Sequence, residues 1–292
     1  MTGLESMVAA ITTSLVPILV AAMGGLATEY VGVLNIALEG LILAGGFSYI
    51  VIGSIFGPVA GAFAALAIPG LLSYGQDLFA RKARADAFVV GLSLNLLVPG
   101  LASVLSQAIF GTKGVFSAAG LAAPRLFVSA TTIPVLGAAL FGHRWSDYLG
   151  LGVACLIAVL LGSTPFGLRA RAAGMNPDSL KIAGVRPGAV RGAAYLVSGL
   201  ACGAAGAALA AAIGAWVPNL SAGRGWIALV AVYMGGKRPG GTFLASVTFA
   251  FLLALANRAQ TLPGLPAELL SALPYLATAL VVIVGSALKK RA

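Results

Sequence analysis

The chain has 292 residues, 60% hydrophobic and 9% charged, with a mean hydropathy of +1.01 and a formal net charge of +10. A soluble domain carries roughly a quarter charged residues, so this composition excludes a water-soluble fold and predicts an integral membrane protein. The apolar runs are continuous and rich in Ala, Leu and Gly rather than alternating, which excludes a barrel and predicts an all-α, polytopic transmembrane helical bundle.

In chain order, residues 6–28 form an uncharged run of 23, enough for one span of about 20 residues. Met1–Met7 lacks a basic flank, so no cleaved leader is expected there. The run 40–76 is 37 residues long and is broken at Gly57-Pro58, giving the end of one span and all of the next. Residues 87–112, 148–168, 192–223, 239–257 and 269–288 supply further spans. Two apolar pieces, 130–142 and 225–236, are too short to span comfortably and read as re-entrant or broken helices. The expected total is about eight or nine crossings in one transmembrane domain, 1–292, with one or two helices short or broken. Within 192–223, Gly199, Gly203 and Gly206 mark a small-residue seam for close helix packing.

The net positive charge maps to short loops. If loops 77–86, 167–191 and 237–238 and the tail from Lys289 share a side, they hold 13 of the 18 basic residues. The other side keeps Lys113, Arg125, Arg144, Arg224 and Arg258. The positive-inside rule makes the richer side, with the C-terminus, cytoplasmic. The piece 225–236 must then cross, 130–142 must not, and the N-terminus lies outside.

Polar residues at membrane depth each need a reason, because a charge there costs a few kcal/mol. Glu29, Asn35 and Glu39 interrupt TEYVGVLNIALEGLILAGGF. Asn35 and Glu39, four apart on one helical face, either line a polar cavity or pin a helix break; Glu39 alternatively makes interhelical hydrogen bonds, and Glu29 sits at the cytoplasmic interface. Asn95 either glues helices through its amide or faces a solute path. Segment 219–225, NLSAGRG, opens a short helix whose N–H groups, beside Arg224, either receive an anionic or hydroxyl-rich group or form a plain outer turn.

Loop 167–191 carries five basic residues and one acid between two long uncharged stretches. Its punctuation predicts two short helices. Residues 169–174 end at a capping glycine, Gly174. Asn176 then caps a second helix over 177–183, with Pro177 at its first position, Gly184 at its end and Pro187 forbidding continuation. Such a segment either docks in a cleft of a soluble partner or rests on anionic headgroups; its caps and stops favour docking.

Several chemistries find no support. There is no Walker lysine motif, so the chain is not expected to hydrolyse ATP. No metal-ligand cluster, nucleophile elbow or carboxylate pair suggests catalysis or a cofactor. Cys155 and Cys202 lie inside apolar runs and read as packing residues, while the basic residues lack the interleaved aromatics of a nucleic-acid binder.

GLRARAAGMNPDSLKIAGV resembles the cytoplasmic coupling segment of ABC importer permeases of the branched-chain amino acid, ribose and nucleoside group. EYVGVLNIALEGLILAGGF is similar to that group's N-terminal signature, DAFVVGLSLNLLVPGL to its following span, and SAGRGWIALVAVYMGGKRPGGTFLAS to its late glycine-rich pair. Gly236-Lys237-Arg238-Pro239 departs from the group's usual GRW-N-P turn, and 112–146 matches no block. The NIALEG and GRGWIALV blocks look closest to permeases working with basic-membrane-protein-type binding lipoproteins, which implies nucleosides as solute. The resemblance also implies a bacterial inner-membrane location, a separate ATPase that holds ATP and Mg, a second permease chain and an extracytoplasmic binding protein. It places ATPase coupling on Arg169, Arg171, Asn176, Pro177, Ile182, Ala183 and Gly184, and the translocation path near Asn35, Glu39, Asn95 and Arg224. An ion-driven secondary transporter using Glu39 or Glu29 is the alternative from another class.

Overall fold

The computed structural model describes residues 3–127 and 136–259. Its elements in order are α1 (Gly3–Tyr30), α2 (Leu38–Phe56), α3 (Pro58–Lys82), α4 (Ala87–Phe110), β1 (Phe116–Ser117), a 3-10 turn (Ala119–Leu121), α5 (Leu136–Leu140), α6 (Trp145–Ser163), α7 (Pro165–Met175), α8 (Pro177–Ile182), α9 (Pro187–Ile213), β2 (Ala215–Trp216), α10 (Arg224–Met234) and α11 (Pro239–Ala259). Among the described residues, seven helices are long and apolar enough to cross a membrane: α1, α2, α3, α4, α6, α9 and α11. The expected span 269–288 lies outside the described residues, as do 130–135 of the short apolar piece.

Proline sets the starts. Pro58, Pro165, Pro177, Pro187 and Pro239 each open a helix, where the missing N–H costs nothing and φ is already helical. Gly57, at φ 91°, makes the α2–α3 corner anticipated from Gly57-Pro58.

Helices α1, α2 and α9 form the interior, and the other spans pack around them. Lipid offers no hydrophobic drive for helix association, so the contacts rest on close backbone approach. The α9 seam supplies it. A Cβ on Gly199 would meet the Pro69 carbonyl and Gly70, one on Gly203 the Ala65 carbonyl, and one on Gly206 the Ile42 carbonyl and Gly46 backbone. Alanine at any of the three would push α9 off α3 or α2.

The ends of the helices sort into two faces. On one, the basic face, Arg171 lies over the Tyr30 ring at 5.3 Å and Lys237 pairs with Glu29. The α3–α4, α6–α9 and α10–α11 connections all meet there. On the other, β1 and β2 pair antiparallel, with Phe116 opposite Trp216. Tyr49 there donates to the Leu121 carbonyl at 3.0 Å, Thr12 to Ala139 at 3.3 Å and Arg258 to Ser6 at 3.2 Å. Helix α1 therefore starts on the second face and ends on the basic one.

Two placements differ from the sequence expectation. Arg224 is not at the second face. It opens α10, whose 11 residues extend about 16 Å from their end at the basic face, half of a hydrocarbon core about 30 Å thick. Gly174 is not a helix cap either. Helix α7 runs through it to Met175, and a Cβ there would collide with the Tyr30 carbonyl and Gly32 N. The glycine is needed for close approach, not for a turn.

Candidate functional site

Two helices begin inside the bundle, and the candidate site is the junction where they meet. Helix α1 ends at Tyr30, and the chain runs non-helically over 31–37 before α2 starts. Gly32, at φ 76°, makes the departure and lies against Gly174 of α7. A helix that starts at membrane depth presents N–H groups that no water satisfies. Asn35 and Asn95 satisfy them. The Asn35 amide oxygen accepts from Ala37 N at 3.1 Å and from the Gln76 side chain at 3.2 Å, while its nitrogen donates to Ser198 Oγ at 3.0 Å and Ser73 Oγ at 3.4 Å. The Asn95 oxygen accepts from Gly40 N at 2.8 Å and its nitrogen donates to the Ile36 carbonyl at 2.8 Å. Both amides are buried.

Asn35 and Glu39 therefore do not share a helical face, as their spacing suggested. Asn35 lies in the break and Glu39 in the first turn of α2, because the chain leaves the helical path at 31. The alternative reading, a pinned helix break, describes what these residues do.

Glu39 closes the junction. Its Oε1 accepts from Gly223 N and its Oε2 from Gly225 N, both at 2.7 Å. The anion anticipated at the start of the 225–236 helix is thus this chain's own carboxylate, on the positive end of the α10 dipole. Gly225 has no room for a Cβ, which would overlap Glu39 N and Cα. Arg224 turns its guanidinium to the Ser221 carbonyl at 3.2 Å. Glu29 pairs with Lys237 and accepts from the Tyr233 hydroxyl at 3.2 Å. Lys237 belongs to the turn in which the polar residue departs from the group's pattern, and its ammonium ties the end of α1 to the α10–α11 connection.

A second polar centre was not anticipated. Asp77, fully buried on α3, holds Arg81 at 2.8 Å and Arg191 at 2.5 Å. Arg191 is in the first turns of α9, directly after the α7–α8 segment, so this carboxylate fixes the base of α9 to α3. The i, i+4 spacing of Asp77 and Arg81 was the available signal; the partner on α9, 114 residues away, has none.

The α7–α8 segment keeps its punctuation. The Asn176 side chain accepts from Asp178 N at 3.1 Å. At the other end Val185 N donates to Leu180 O at 2.8 Å and Gly184 N to Lys181 O at 3.0 Å, a Schellman pair with Gly184 at φ 73°. The Lys181 ammonium beside Asp178, at 2.7 Å, holds that carboxyl below its ordinary range. Leu180 turns inward, whereas Ile182 is 90% and Met175 87% exposed. Arg169, Asn176, Pro177, Ala183 and Gly184 are exposed as well. Arg171 is not part of that outer surface, since its guanidinium donates to the Leu161 carbonyl at 2.9 Å and covers Tyr30. Met175, an apolar side chain in a basic loop, was missed.

The coupling-type segment, the α1–α2 break and the short helix α10 thus form one chain of contacts. Gly174 and Arg171 touch Tyr30–Gly32, the break leads to Glu39, and Glu39 holds the start of α10.

Residues 7–284 match the family described as "Branched-chain amino acid transport system / permease component". The chain is 32% identical over 291 residues to the nucleoside ABC transporter permease protein NupC of Lactococcus lactis subsp. cremoris, covering 94% of this chain and 91% of that one. It is 30% identical over 276 residues to the guanosine ABC transporter permease protein NupQ of Bacillus subtilis, covering 90% and 86%. Its fold resembles that of a metal-chelate-type ABC transporter solved in an inward-facing conformation, at a TM-score of 0.52 and 16% identity, covering 95% of this chain and 85% of that one.

Proposed function

We propose, from the premise that this chain belongs to the branched-chain amino acid transport permease family, that it imports nucleosides as one membrane subunit of an ATP-driven transporter. It is an ABC transporter permease, and the ion-driven reading has no support left: Glu29 and Glu39 serve an ion pair and a helix cap. Nucleosides are favoured among small polar solutes because the relatives named for nucleoside and guanosine transport match over nearly the whole chain.

In this reading the basic face is cytoplasmic, together with the C-terminus. A separate ATPase, carrying ATP and Mg, docks on α7–α8. A second permease and an extracytoplasmic binding protein complete the assembly in a bacterial inner membrane. Coupling rests on Arg169, Asn176, Pro177, Ile182, Ala183 and Gly184, to which Met175 is added. Arg171 acts from the other side, as the link to Tyr30. Glu39 and Arg224 flank the solute route at half-depth, while Asn35 and Asn95 hold the break from behind.

The observation carrying this reading is the two-sided character of α7–α8. Two large apolar side chains, Met175 at the end of α7 and Ile182 on the doubly capped α8, project outward, and the opposite side of α7 abuts the break that leads to α10. An ATPase that moves α7–α8 thereby moves the junction at half-depth.

The test is a mild-detergent pull-down of the tagged chain from its native cell, followed by uptake of labelled guanosine against ribose, glucose and leucine. Co-purification of an ATPase, a second permease and a binding protein, with guanosine the preferred solute, is expected. Recovery of the chain alone would sink the assembly, and preference for a sugar or amino acid would sink the solute.

A further inference from the structure

On the face opposite α7–α8, Arg125 and Arg144 are direct partners in an isolated antiparallel bridge. Residues opposed this way have Cβ atoms about 5 Å apart, and like charges so placed destabilise the pairing. Both residues line one cavity of about 490 Å³ between the first turns of α1 and α6, with Ser6, Thr13, His143 and Asp147. Asp147 does not settle the repulsion. It is one carboxylate against two guanidinium groups, and its Oδ2 already accepts the Arg144 backbone N–H at 3.1 Å. The His143 ring is also engaged, its Nε2 lying 3.1 Å from the Ala138 carbonyl and 3.2 Å from that of Ala139. Arg258 adds a third cation at the rim through Ser6. Among the described residues this face carries four basic residues, Lys113, Arg125, Arg144 and Arg258, and three of them gather at this cavity. A face poor in cations has brought Arg125 and Arg144 together in one cavity lining that holds, among the described residues, the single carboxylate of Asp147.

The surroundings say which anion. Phe127 stands edge-on to Phe141 and Tyr148 at 6.2 and 5.9 Å, and Phe127, Leu140 and Leu149 are exposed large apolar side chains beside the cavity. Aromatic residues at the end of a span mark the headgroup level, and exposed apolar residues below them meet acyl chains. A soluble acidic partner would find apolar side chains at this rim rather than the polar border of a docking site.

We infer that this cavity is an anionic-lipid site, in which Arg125 and Arg144 grip the phosphodiester of a headgroup lodged between the starts of α1 and α6. The two guanidinium groups supply the forked donors that phosphate oxygens fit, and the lipid cancels the repulsion across the Arg125–Arg144 bridge. The site is separate from the Glu39 junction and from α7–α8, and it gives a role to part of the 112–146 region that resembled no family block.

The test is native mass spectrometry of the purified permease in mild detergent, titrated with phosphatidylglycerol, with phosphatidylcholine and with inorganic phosphate. Phosphatidylglycerol adducts should persist over phosphatidylcholine adducts on the order of tenfold. Arg125→Gln with Arg144→Gln should erase that preference, whereas Lys113→Gln on the same face should keep it. Arg125→Lys with Arg144→Lys retains the charge and should keep part of it, which guards against a loss caused by misfolding. Equal retention of the two lipids by the wild type, or an unchanged preference in the double Gln variant, overturns the proposal. Displacement of the lipid by millimolar phosphate would assign the same chemistry to a free anion. Loss of capture by the extracytoplasmic binding protein in the double Gln variant, without any lipid preference in the wild type, would overturn it in favour of a protein contact.

Discussion

Glu39→Gln tests the junction most directly. The substitution keeps the shape of the side chain but leaves one acceptor oxygen where there were two, and sets an NH2 group against one of the two α10 N–H groups. Losing a hydrogen bond to a charged group costs about 1.5–3 kcal/mol, and stranding the buried donor about 1–3 kcal/mol. Removing the negative charge from the start of α10 costs a further 0.3–2 kcal/mol or so. These contributions overlap, so a net loss of about 3 kcal/mol is expected in the stability of the assembled bundle. An opposing effect has to be weighed. A carboxylate at membrane depth costs about 3 kcal/mol on insertion scales, and the Gln variant avoids that. The gain belongs to insertion, however, and an inserted but unpacked chain enjoys it equally. Membrane levels of the variant should therefore match or exceed wild type, while its unfolding in detergent shifts to lower temperature and guanosine uptake falls at least tenfold. Glu39→Asp, charged but one methylene short of spanning Gly223 N and Gly225 N, should lie between. A Gln variant with wild-type unfolding and uptake would refute the claim that this carboxylate holds α10.

Three further outcomes are expected. Met175→Ser with Ile182→Ser removes exposed apolar surface without touching the bundle, so unfolding in detergent should stay within about 0.5 kcal/mol of wild type while ATPase stimulation by solute is lost; normal stimulation would rule out docking at α7–α8. Asp77→Asn leaves Arg81 and Arg191 without their carboxylate and should cost about 3–5 kcal/mol, read as a lowered unfolding temperature; an unchanged one would mean that water already screens the pair. Asp178 has its carboxyl lowered by Lys181, so the ion pair contributes above the ordinary carboxylate range and fades as pH falls through the lowered value; protection factors of the α8 amides should be flat across neutral pH and drop only in acid, and a drop near neutrality would contradict the assignment.

Much of the bundle was legible because its signals are local. Uninterrupted apolar runs, prolines at helix starts and basic residues in short connections are each read within a few residues of one another. The caps of α8 were legible for the same reason: Asn176, Pro177 and Gly184 act on backbone groups two to five residues away. The seam at Gly199, Gly203 and Gly206 could be seen as small, though not what it would touch. Arg171 shows the limit. Its charge and its place in the loop suggested an outward role, yet the guanidinium turns back to Leu161 and Tyr30 because the turn of α7 puts it on the bundle side.

By itself the sequence determined that this is a helical membrane protein, roughly where most of its described spans lie, which loops carry the charge, and the permease family its four ordered blocks resemble. Composition and short-range spacing suffice for these. Only the tertiary structure decided who meets whom: Glu39 with the start of α10, 184 and 186 residues on, and Asp77 with Arg191, 114 residues on. No local pattern encodes those distances. They follow from how closely α9 lies on α2 and α3 at its glycines, and from a break at 31–37 that turns an apparent helical face into the meeting point of two helix starts.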